Sequence, residues 1–182
     1  MSLKTSVFIA TSLDGFIARE DGQLDWLDAA NKRVPAGEDC GYNAFMESVD
    51  HLVMGRNTYE MVLSFGEWPY GNKPVIVLSS KKIAFPAELS QTVSHSSETP
   101  KELVDRLSQE GAKRLYIDGG ITIQRFLAKS LINDLTITVI PVILGRGKAL
   151  FANLDHDISL RHMATKTYEF GFVQLSYEVE NR

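Results

Sequence analysis

The chain has 182 residues, 44% of them hydrophobic, and its 23 acidic and 19 basic side chains give a formal net charge of −4. This balance argues against a nucleic-acid partner, because phosphate backbones are bound by clustered Lys and Arg. No apolar run is long enough to cross a membrane, and the first residues lack an apolar signal segment, so we expect a cytoplasmic protein without membrane contact. The length predicts one domain over residues 1–182.

The first half of the chain alternates between strand and helix patterns. The predicted elements are a strand at 6–10, a helix over 39–49, a strand at 51–54, a helix from 57 to about 65 and a strand at 75–78. Tyr42, Phe45 and Val49 fall on one face of the first helix. Asn57 and Glu60 have the spacing of a capping box, which predicts the start of the second helix.

The second half continues this alternation and then ends in strands. The predicted elements are a strand at 92–94, a helix between 99 and 111, a strand at 115–117, a helix after 120, a strand at 135–140 and strands at 160–166 and 172–179. Thr99, Pro100 and Glu102 form a strong helix start. The alternation predicts an α/β fold, with a mainly parallel twisted sheet and helices on both faces. The last two strands predict an antiparallel C-terminal hairpin.

Two glycine motifs stand directly after apolar runs, where a strand gives way to a helix. The first is Gly55-Arg56-Asn57-Thr58. A helix N-terminus presents unpaired N–H groups that attract phosphate, Gly55 lets the backbone approach closely, and Thr58 offers a hydroxyl. Arg56 carries a fork of donors suited to a terminal phosphate. The alternative is an ordinary turn with a surface arginine.

The second glycine motif is Asp118-Gly119-Gly120-Ile121-Thr122. Paired glycines permit a positive φ or a ligand pressed against the backbone, although a tight turn has the same signature. The full G-x-G-x-x-G fingerprint of ordinary dinucleotide sites is missing. Ligands bind beyond the carboxyl ends of parallel strands, so two such turns on one sheet favour a phosphorylated nucleotide cofactor. Asp118 would either accept hydrogen bonds from a substrate or cap the helix.

Other polar residues give weaker signals. Ser79, Ser80 and Lys81 follow a third strand, where they would meet a ribose phosphate or form a solvated turn. Asp25 and Trp26 fall in a loop after the first strand, and tryptophan is more often a core anchor than a ligand contact. The four histidines lack metal-ligand spacing and no nucleophile elbow is present, so we predict neither a metal site nor covalent hydrolysis.

Five motifs together resemble a known superfamily. They are Ala-Thr-Ser-Leu-Asp-Gly at 10–15, Met-Gly-Arg-x-Thr-x-Glu at 54–60, Leu-Ser-Ser at 78–80, Ile-Asp-Gly-Gly at 117–120 and Pro-x-x-Leu-Gly-x-Gly-x-x-Leu-Phe at 141–151. In this order they resemble the dihydrofolate reductase superfamily, most closely the C-terminal reductase domain of the bifunctional riboflavin-biosynthesis deaminase-reductase. The resemblance implies the three-layer fold of that superfamily, including its terminal hairpin.

The resemblance also implies NADPH as the reductant and a position for each part of it. The 2′-phosphate would meet Arg56, Ser79, Ser80 and Lys81. The pyrophosphate would meet Thr58, Gly120, Ile121 and Thr122, with Gly55 and Gly119 in the two turns beside it. The nicotinamide would lie against Ala10, Ile17 and Ala18. The substrate would lie against Trp26, Tyr42, Phe45 and Asp118.

Two departures from the family pattern bear on the substrate. Folate reductases carry an acidic residue one turn before the aromatic residue equivalent to Phe45, whereas this chain has Gly41 there, with Glu38 and Asp39 nearby. The riboflavin-pathway reductases tend to carry a lysine in the first strand, where this chain has apolar residues. The first departure argues against folate reduction, and the second weakens the case for a phosphoribosylated pyrimidine.

We therefore predict an NADPH-dependent reductase that resembles 5-amino-6-(5-phosphoribosylamino)uracil reductase and transfers hydride to a small heterocyclic or sugar-like substrate. Asp118, or Asp25 with ordered water, is the candidate proton route. The alternatives are a dihydrofolate- or pteridine-reductase-like activity and a non-catalytic module that binds NADPH or a flavin. The terminal strands offer an exposed edge, which together with the resemblance predicts a homodimer.

Overall fold

A computed structural model describes residues 3–152 and 154–180. Its strands are β1 (Lys4–Ser12), β2 (Phe16–Ala18), β3 (His51–Gly55), β4 (Val75–Leu78), β5 (Val93–Ser96), β6 (Arg114–Asp118), β7 (Asp134–Ile140), β8 (Lys148–Ala149), β9 (Leu160–Thr167) and β10 (Val173–Val179). Its α-helices are α1 (Asp25–Asn31), α2 (Tyr42–Glu47), α3 (Arg56–Leu63), α4 (Pro100–Gln109) and α5 (Gly120–Leu127).

An eight-stranded sheet organises these elements in the order β5-β4-β3-β6-β1-β7-β10-β9. The strands from β5 to β7 in that order are parallel to one another. Strand β10 pairs antiparallel with both β7 and β9. The predicted mainly parallel sheet with an antiparallel C-terminal hairpin is therefore confirmed.

Apolar side chains alternate between the two faces of the sheet, because successive residues of a strand point to opposite sides. In β3, Val53 belongs to one buried cluster and Leu52 to the other. The first cluster includes Leu103 of α4 and Phe126 of α5. The second includes Tyr59 of α3 together with residues of α2. Helices therefore cover both faces, which gives the three layers that the resemblance implies.

Helix α1 differs from the prediction, which places Asp25 and Trp26 in a loop. Asp25 and Asp28 occupy its first turn, where carboxylates favour the positive end of the helix dipole. Trp26 is buried and packs in a cluster with Ile140 and Phe172. Tertiary burial of the indole thus stabilises a helix that has only seven residues and little periodic signal.

Helix α2 is shorter than predicted, because it begins at Tyr42 instead of residue 39. Cys40 and Gly41 have φ values of 53° and 83°, which place both in the left-handed region and outside the helix. The Asp39 carboxylate accepts hydrogen bonds from the backbone N–H groups of Gly41 at 2.8 Å and Asn43 at 2.9 Å. Asp39 therefore holds the turn in place of continuing the helix.

Helix α3 begins at Arg56, with Gly55 as its N-cap and no side-chain cap hydrogen bond. The predicted capping box of Asn57 and Glu60 is therefore wrong. Glu60 instead lies one turn from Arg56, with 3.7 Å between its Oε1 and the arginine Nε. The helix starts earlier because the chain turns at the glycine, directly where β3 ends.

Strands β2 and β8 form a small separate sheet in which Phe16 pairs with Ala149. A Cβ on Gly147 would overlap the carbonyl oxygen of Ala18, so only glycine fits where the loop before β8 crosses β2. No helix of the described residues is long and apolar enough to span a membrane.

Candidate functional site

The two glycine turns meet at the carboxyl ends of β3 and β6, which are neighbouring parallel strands. A Cβ on Gly55 would lie 2.8 Å from Oγ1 of Thr122, and a Cβ on Gly119 would overlap Oγ1 of Thr58. Each turn therefore leaves the space that the threonine of the other turn occupies. Gly119 also has a φ of 89°, which disfavours any residue with a side chain.

The helices that follow these turns begin without side-chain caps. Neither Gly55 of α3 nor Gly119 of α5 makes a side-chain cap hydrogen bond. Helix α4 differs, because Thr99 and Glu102 form the complete capping box that the sequence predicts. The first-turn N–H groups of α3 and α5 thus lack such a cap, and uncapped helix N-termini of this kind bind phosphate.

Both turns open into a cleft of about 1220 Å³, which we name the glycine cleft. Every residue assigned to the cofactor from the sequence lines it: Ala10, Ile17, Ala18, Gly55, Arg56, Thr58, Ser79, Ser80, Lys81, Gly119, Gly120, Ile121 and Thr122. Both candidate proton donors, Asp25 and Asp118, also line it. The sheet order brings the segments that follow β3, β4 and β6 together, since these are neighbouring parallel strands, and Ala10 of β1 and Ile17 and Ala18 of β2 complete the lining.

The phosphate-binding candidates lie together at the ends of β3 and β4, which are adjacent strands. Arg56 follows β3, and Ser79, Ser80 and Lys81 follow β4. The contact of Arg56 with Glu60 joins two side chains that are 44% and 61% exposed, so it holds the guanidinium only weakly. Arg56 is therefore free to bind an anion in the cleft.

Asp118 is half-buried at the end of β6, and its Oδ1 accepts a hydrogen bond from the N–H of Gly119 at 2.8 Å. Burial raises the pKa of Asp118 to about 6, although the Gly119 hydrogen bond opposes the shift. Burial, with the nearby Asp118 charge, also raises the pKa values of Tyr42, Tyr70 and Tyr116. Asp118 can therefore hold a proton near neutral pH beside three neutral phenols.

Asp25 is in a different electrostatic state. Its two carboxylate oxygens accept hydrogen bonds from Arg19 at 2.6 and 2.9 Å. The hydrogen bond to Arg19 lowers the pKa of Asp25. An ionised, paired and exposed carboxylate is a poor proton donor, so the geometry favours Asp118 over Asp25 for that role.

A second cavity of about 470 Å³, which we name the aromatic cavity, adjoins the glycine cleft above β1. The two share Ile9, Ala10 and Leu27 as walls. The remaining lining residues are Phe8, Asn31, Val34, Glu38, Asp39, Cys40, Tyr42, Tyr116, Thr138, Ile140 and Phe172. The shared residues mean that the two cavities are neighbours on either side of Ile9, Ala10 and Leu27.

Of the three aromatic residues assigned to the substrate, only Tyr42 lines either cavity. Trp26 is 5% exposed and belongs to the core beneath α1. Phe45 is 9% exposed and stacks on Phe8, with the guanidinium of Arg114 5.0 Å from its ring centroid. The structure thus places Trp26 and Phe45 in the packing behind the site, because their helices turn these side chains toward the sheet.

Several residues that line the glycine cleft are missing from the sequence-based assignment, and three of them could contact a ligand through a phenol or a basic group. Tyr70 comes from the loop after α3, Arg125 from α5 and Lys148 from β8. Arg125 lies one turn beyond Ile121, so helical spacing could have indicated it. The basic run at 145–148 indicates Lys148 as a candidate contact for an anionic substrate, although a solvated loop has the same signature. Nothing in the local sequence singles out Tyr70, because loop packing alone brings it to the cleft.

Within residues 3–152 and 154–180, the structure contains no group of three or more His, Cys, Asp and Glu side chains arranged to hold a metal ion. The chemical groups that the two cavities do offer include uncapped helix N-termini, basic side chains, hydroxyls, phenols and several carboxylates, among them Asp118 with its raised pKa.

The fold and the site define a protein of the dihydrofolate-reductase-like class. The chain superposes on dihydrofolate reductase from Enterococcus faecalis complexed with NADP(H), with a TM-score of 0.64, 19% identity and coverage of 98% of this chain and 97% of that one. It also superposes on a deaminase and 5-amino-6-(5-phosphoribosylamino)uracil reductase of Thermotoga maritima, with a TM-score of 0.70, 12% identity and coverage of 98% and 57%. At such low sequence identities, the two superpositions show a shared fold and nothing more specific.

The sequence profile of the RibD C-terminal domain matches residues 4–173, and the chain therefore belongs to that family. A protein of Shewanella sp. PV-4 assigned provisionally to riboflavin biosynthesis has a TM-score of 0.92 and 41% identity, with coverage of 98% of this chain and 100% of that one. The uncharacterized protein YwjB of Bacillus subtilis is 39% identical over 181 residues, which cover 97% of this chain and 98% of YwjB. The resemblance seen in the five motifs is confirmed.

Proposed function

We propose that the protein is an NADPH-dependent reductase that transfers hydride to a small heterocyclic or sugar-like acceptor, in the manner of the aminouracil reductases of its family. The observation that carries this proposal is the pair of interlocked glycine turns. Their reciprocal contacts leave two helix N-termini facing one cleft, beside Arg56 and the polar residues that follow β4.

The cleft offers helix N-termini and basic side chains at positions where a dinucleotide would place its phosphates. The N-termini of α3 and α5 would hold the pyrophosphate, and Arg56 with Lys81 would hold the 2′-phosphate. A Cβ on Gly120 would lie 2.8 Å from Cδ1 of Ile17, so the absence of a side chain there keeps the backbone of α5 close to β2. Ala10, Ile17 and Ala18 offer the flat apolar wall that a nicotinamide ring needs.

A reduced nicotinamide supplies the hydride when it is bound, and the protein supplies orientation and a proton. Asp118 lies in the glycine cleft and is close enough to Tyr42 of the aromatic cavity for its charge to raise the pKa of that phenol. Its own raised pKa, about 6, suits a general acid that works near neutral pH. Asp118 would donate the proton and Tyr42 would help to position the acceptor.

Calorimetric titration of the purified protein with NADPH and NADH tests the cofactor assignment. We expect NADPH to bind more tightly, and Arg56→Ala to weaken NADPH by about 10–100-fold while changing NADH by less than about threefold, because charged hydrogen bonds contribute about 1.5–3 kcal/mol. Arg146→Ala is the matched control, because Arg146 is exposed and lies outside both cavities. Equal losses for both nucleotides would contradict the role of Arg56.

Loss of nicotinamide absorbance with an added acceptor separates a reductase from the non-catalytic alternative. Tight NADPH binding without turnover on any pyrimidine or pteridine acceptor would favour a module that only binds the nucleotide. Binding of neither nucleotide would reject the reductase and turn attention to flavins.

We also propose that two copies of the chain associate through the outer edge of the sheet. Every residue of β9 is exposed, and Leu160 and Met163 are 39% and 53% exposed. An exposed edge strand is prone to pairing with another chain. Light scattering should therefore give the mass of a dimer, and replacing Met163 with Lys should shift it toward the monomer.

A further inference from the structure

We infer that the acceptor bound in the aromatic cavity is a planar heterocycle that carries no phosphate and is neutral or positively charged. This inference rests on the proposed reductase function and narrows its substrate. It follows from the aromatic walls of the cavity together with the carboxylates at its rim, which contrast with the cations of the adjoining cleft.

The two cavities differ in the charges of the residues that line them. The glycine cleft is lined by basic and acidic residues together, and four of the basic ones are available to bind phosphate: Arg56, Lys81, Arg125 and Lys148. Its acidic lining residues are Asp21, Asp25, Asp28, Glu60 and Asp118. The described residues that line the aromatic cavity include no Lys or Arg, and its charged residues are Glu38 and Asp39. Phosphate is bound in proteins by Arg, Lys or N–H groups, so the aromatic cavity lacks the basic side chains that would hold one.

The two carboxylates are held in place by the turn before α2. Oε1 of Glu38 accepts a hydrogen bond from the N–H of Cys40 at 2.7 Å, and Asp39 accepts from two further backbone N–H groups. Those hydrogen bonds lower the pKa of Asp39, so its charge is present at neutral pH. Oε2 of Glu38 makes no hydrogen bond to the described residues and remains able to accept one from a ligand.

Lys166 is the basic residue that acts on this pair of carboxylates, since its positive charge lowers the pKa of Asp39. Its ammonium group, however, lies over the ring of Tyr168, 4.4 Å from the centroid, and Lys166 is not part of the cavity wall. Because Lys166 lies over the ring of Tyr168, the Glu38 carboxylate in the cavity lining can accept a hydrogen bond from a ligand. A phosphate in the same space would face two like charges.

The walls of the cavity favour a flat ring. Phe8 and Tyr42 meet edge to face, with ring centroids 5.9 Å apart, and Tyr116 and Phe172 complete an aromatic lining. Aromatic side chains bind planar ligands through stacked and edge contacts. Carboxylate oxygens accept hydrogen bonds, so a heterocycle with ring N–H, amino or hydroxyl groups matches both the walls and the rim.

Matched ligand pairs test this inference on the full chain. Riboflavin with flavin mononucleotide, and uridine with uridine monophosphate, each differ by one phosphate. The protein is first titrated with NADP⁺, which tests the proposed function by itself. Each pair is then titrated by calorimetry into the free protein and into protein saturated with NADP⁺, so that a ligand phosphate cannot be held in the glycine cleft.

We expect the unphosphorylated member of at least one pair to bind NADP⁺-saturated protein about tenfold or more tightly than its phosphorylated partner. Glu38→Lys should reverse or abolish this preference, and Glu47→Lys should not, because Glu47 lies on α2 but outside the cavity. Equal or tighter binding of the phosphorylated members to the wild type would overturn the inference, as would binding of neither member of either pair.

The outcomes also separate this inference from the proposed function. If NADP⁺ does not bind, the reductase proposal fails, while the preference measured on the free protein and its response to Glu38→Lys still report on the aromatic cavity. If NADP⁺ binds and the phosphate preference has the opposite sign, only the present inference fails.

Discussion

The glycine cleft and the aromatic cavity share a wall but are built in different ways. The cleft is shaped by backbone, since its turns, helix N-termini and close contacts all depend on glycine. The cavity is shaped by side chains that come from α1, from the turn before α2 and from β1, β6, β7 and the start of the C-terminal hairpin. A site built from backbone suits a cofactor whose phosphate groups are the same in every enzyme that uses it. A site built from side chains can differ between proteins that bind different substrates.

The same difference accounts for the match to the family motifs in the glycine cleft and for the departures from them near the aromatic cavity. The five motifs supply the turns of the cleft, while the departures at Gly41 and in the first strand fall near the cavity. Under the proposed function, the cleft would set the class of reaction and the cavity would select the molecule that is reduced. The predictions below test this division, from the largest expected effect to the smallest.

The largest effect is expected for Asp118, which lies in the cleft but faces Tyr42 in the cavity. Asp118→Asn should lower kcat by about 100-fold, because a positioned general acid contributes that order of rate. In the wild type, kcat/KM should fall as pH rises through about 6, where the acid loses its proton. The Asn variant should show a flat profile in this range, and an unchanged profile would exclude Asp118 as the acid.

The raised pKa of Asp118 also makes a prediction about folding that does not depend on activity. Burial makes the folded state favour the neutral carboxylic acid of Asp118 over its carboxylate. The contribution of the neutral acid to folding stability is complete below pH 3.8 and is lost as pH rises through about 6. The stability of Asp118→Asn relative to the wild type should therefore rise across this range, by about 1–3 kcal/mol between pH 4 and pH 7. Thermal unfolding at pH 4 and pH 7 measures the difference, and a constant offset would contradict the shift.

The next effect concerns the interlocked turns. Gly119→Ala should cost about 2–4 kcal/mol of stability and weaken NADPH binding by about tenfold or more, because the new Cβ is strained and also overlaps Thr58. Gly111→Ala is the matched control, since Gly111 has the same φ of 89° but open space around it. It should cost only about 1 kcal/mol and leave NADPH binding intact. Equal losses of stability and of NADPH affinity in the two variants would show that the positive φ, and not the overlap with Thr58, causes the effect.

A smaller effect should be confined to the aromatic cavity. Tyr42→Phe removes one hydroxyl, so the acceptor KM should rise by about 2–10-fold, while the NADPH dissociation constant stays the same. Tyr177→Phe, on β10 and outside both cavities, serves as the control. Weaker NADPH binding in the Tyr42 variant would mean that the two regions are not separable.

The smallest effect is expected for the helix that has its own cap. Thr99→Ala should lower the free energy of unfolding by about 1 kcal/mol, because it removes the capping box of α4. Neither NADPH binding nor turnover should change, since α4 starts away from both cavities. Stability is read from denaturant unfolding, and a loss of NADPH affinity would link α4 to the cleft.

The alternation of the main strands and helices, the parallel sheet, the C-terminal hairpin and the two glycine turns could be predicted from the sequence, whereas α1, β2 and β8 were not. Each predicted feature depends on a local pattern: apolar runs for buried strands, glycine at the strand ends, and Thr99 with Glu102 at the start of α4. These patterns reflect backbone requirements that act within a few residues, so a single sequence carries them. The glycine cleft is predictable for the same reason.

Only the tertiary structure decided helix α1, the side chains that line the two cavities and the pKa of Asp118. Helix α1 forms because Trp26 is buried against Ile140 and Phe172, which lie more than a hundred residues away in sequence. Burial in two separate clusters removes Trp26 and Phe45 from the cavity walls, and the folding of distant loops brings Tyr70 and Lys148 to the cleft. The raised pKa of Asp118 also depends on burial by distant elements. The sequence by itself determined the two glycine turns at the strand ends, because they depend on local backbone requirements. Tertiary packing determined which side chains line the two cavities, because it depends on contacts between distant elements.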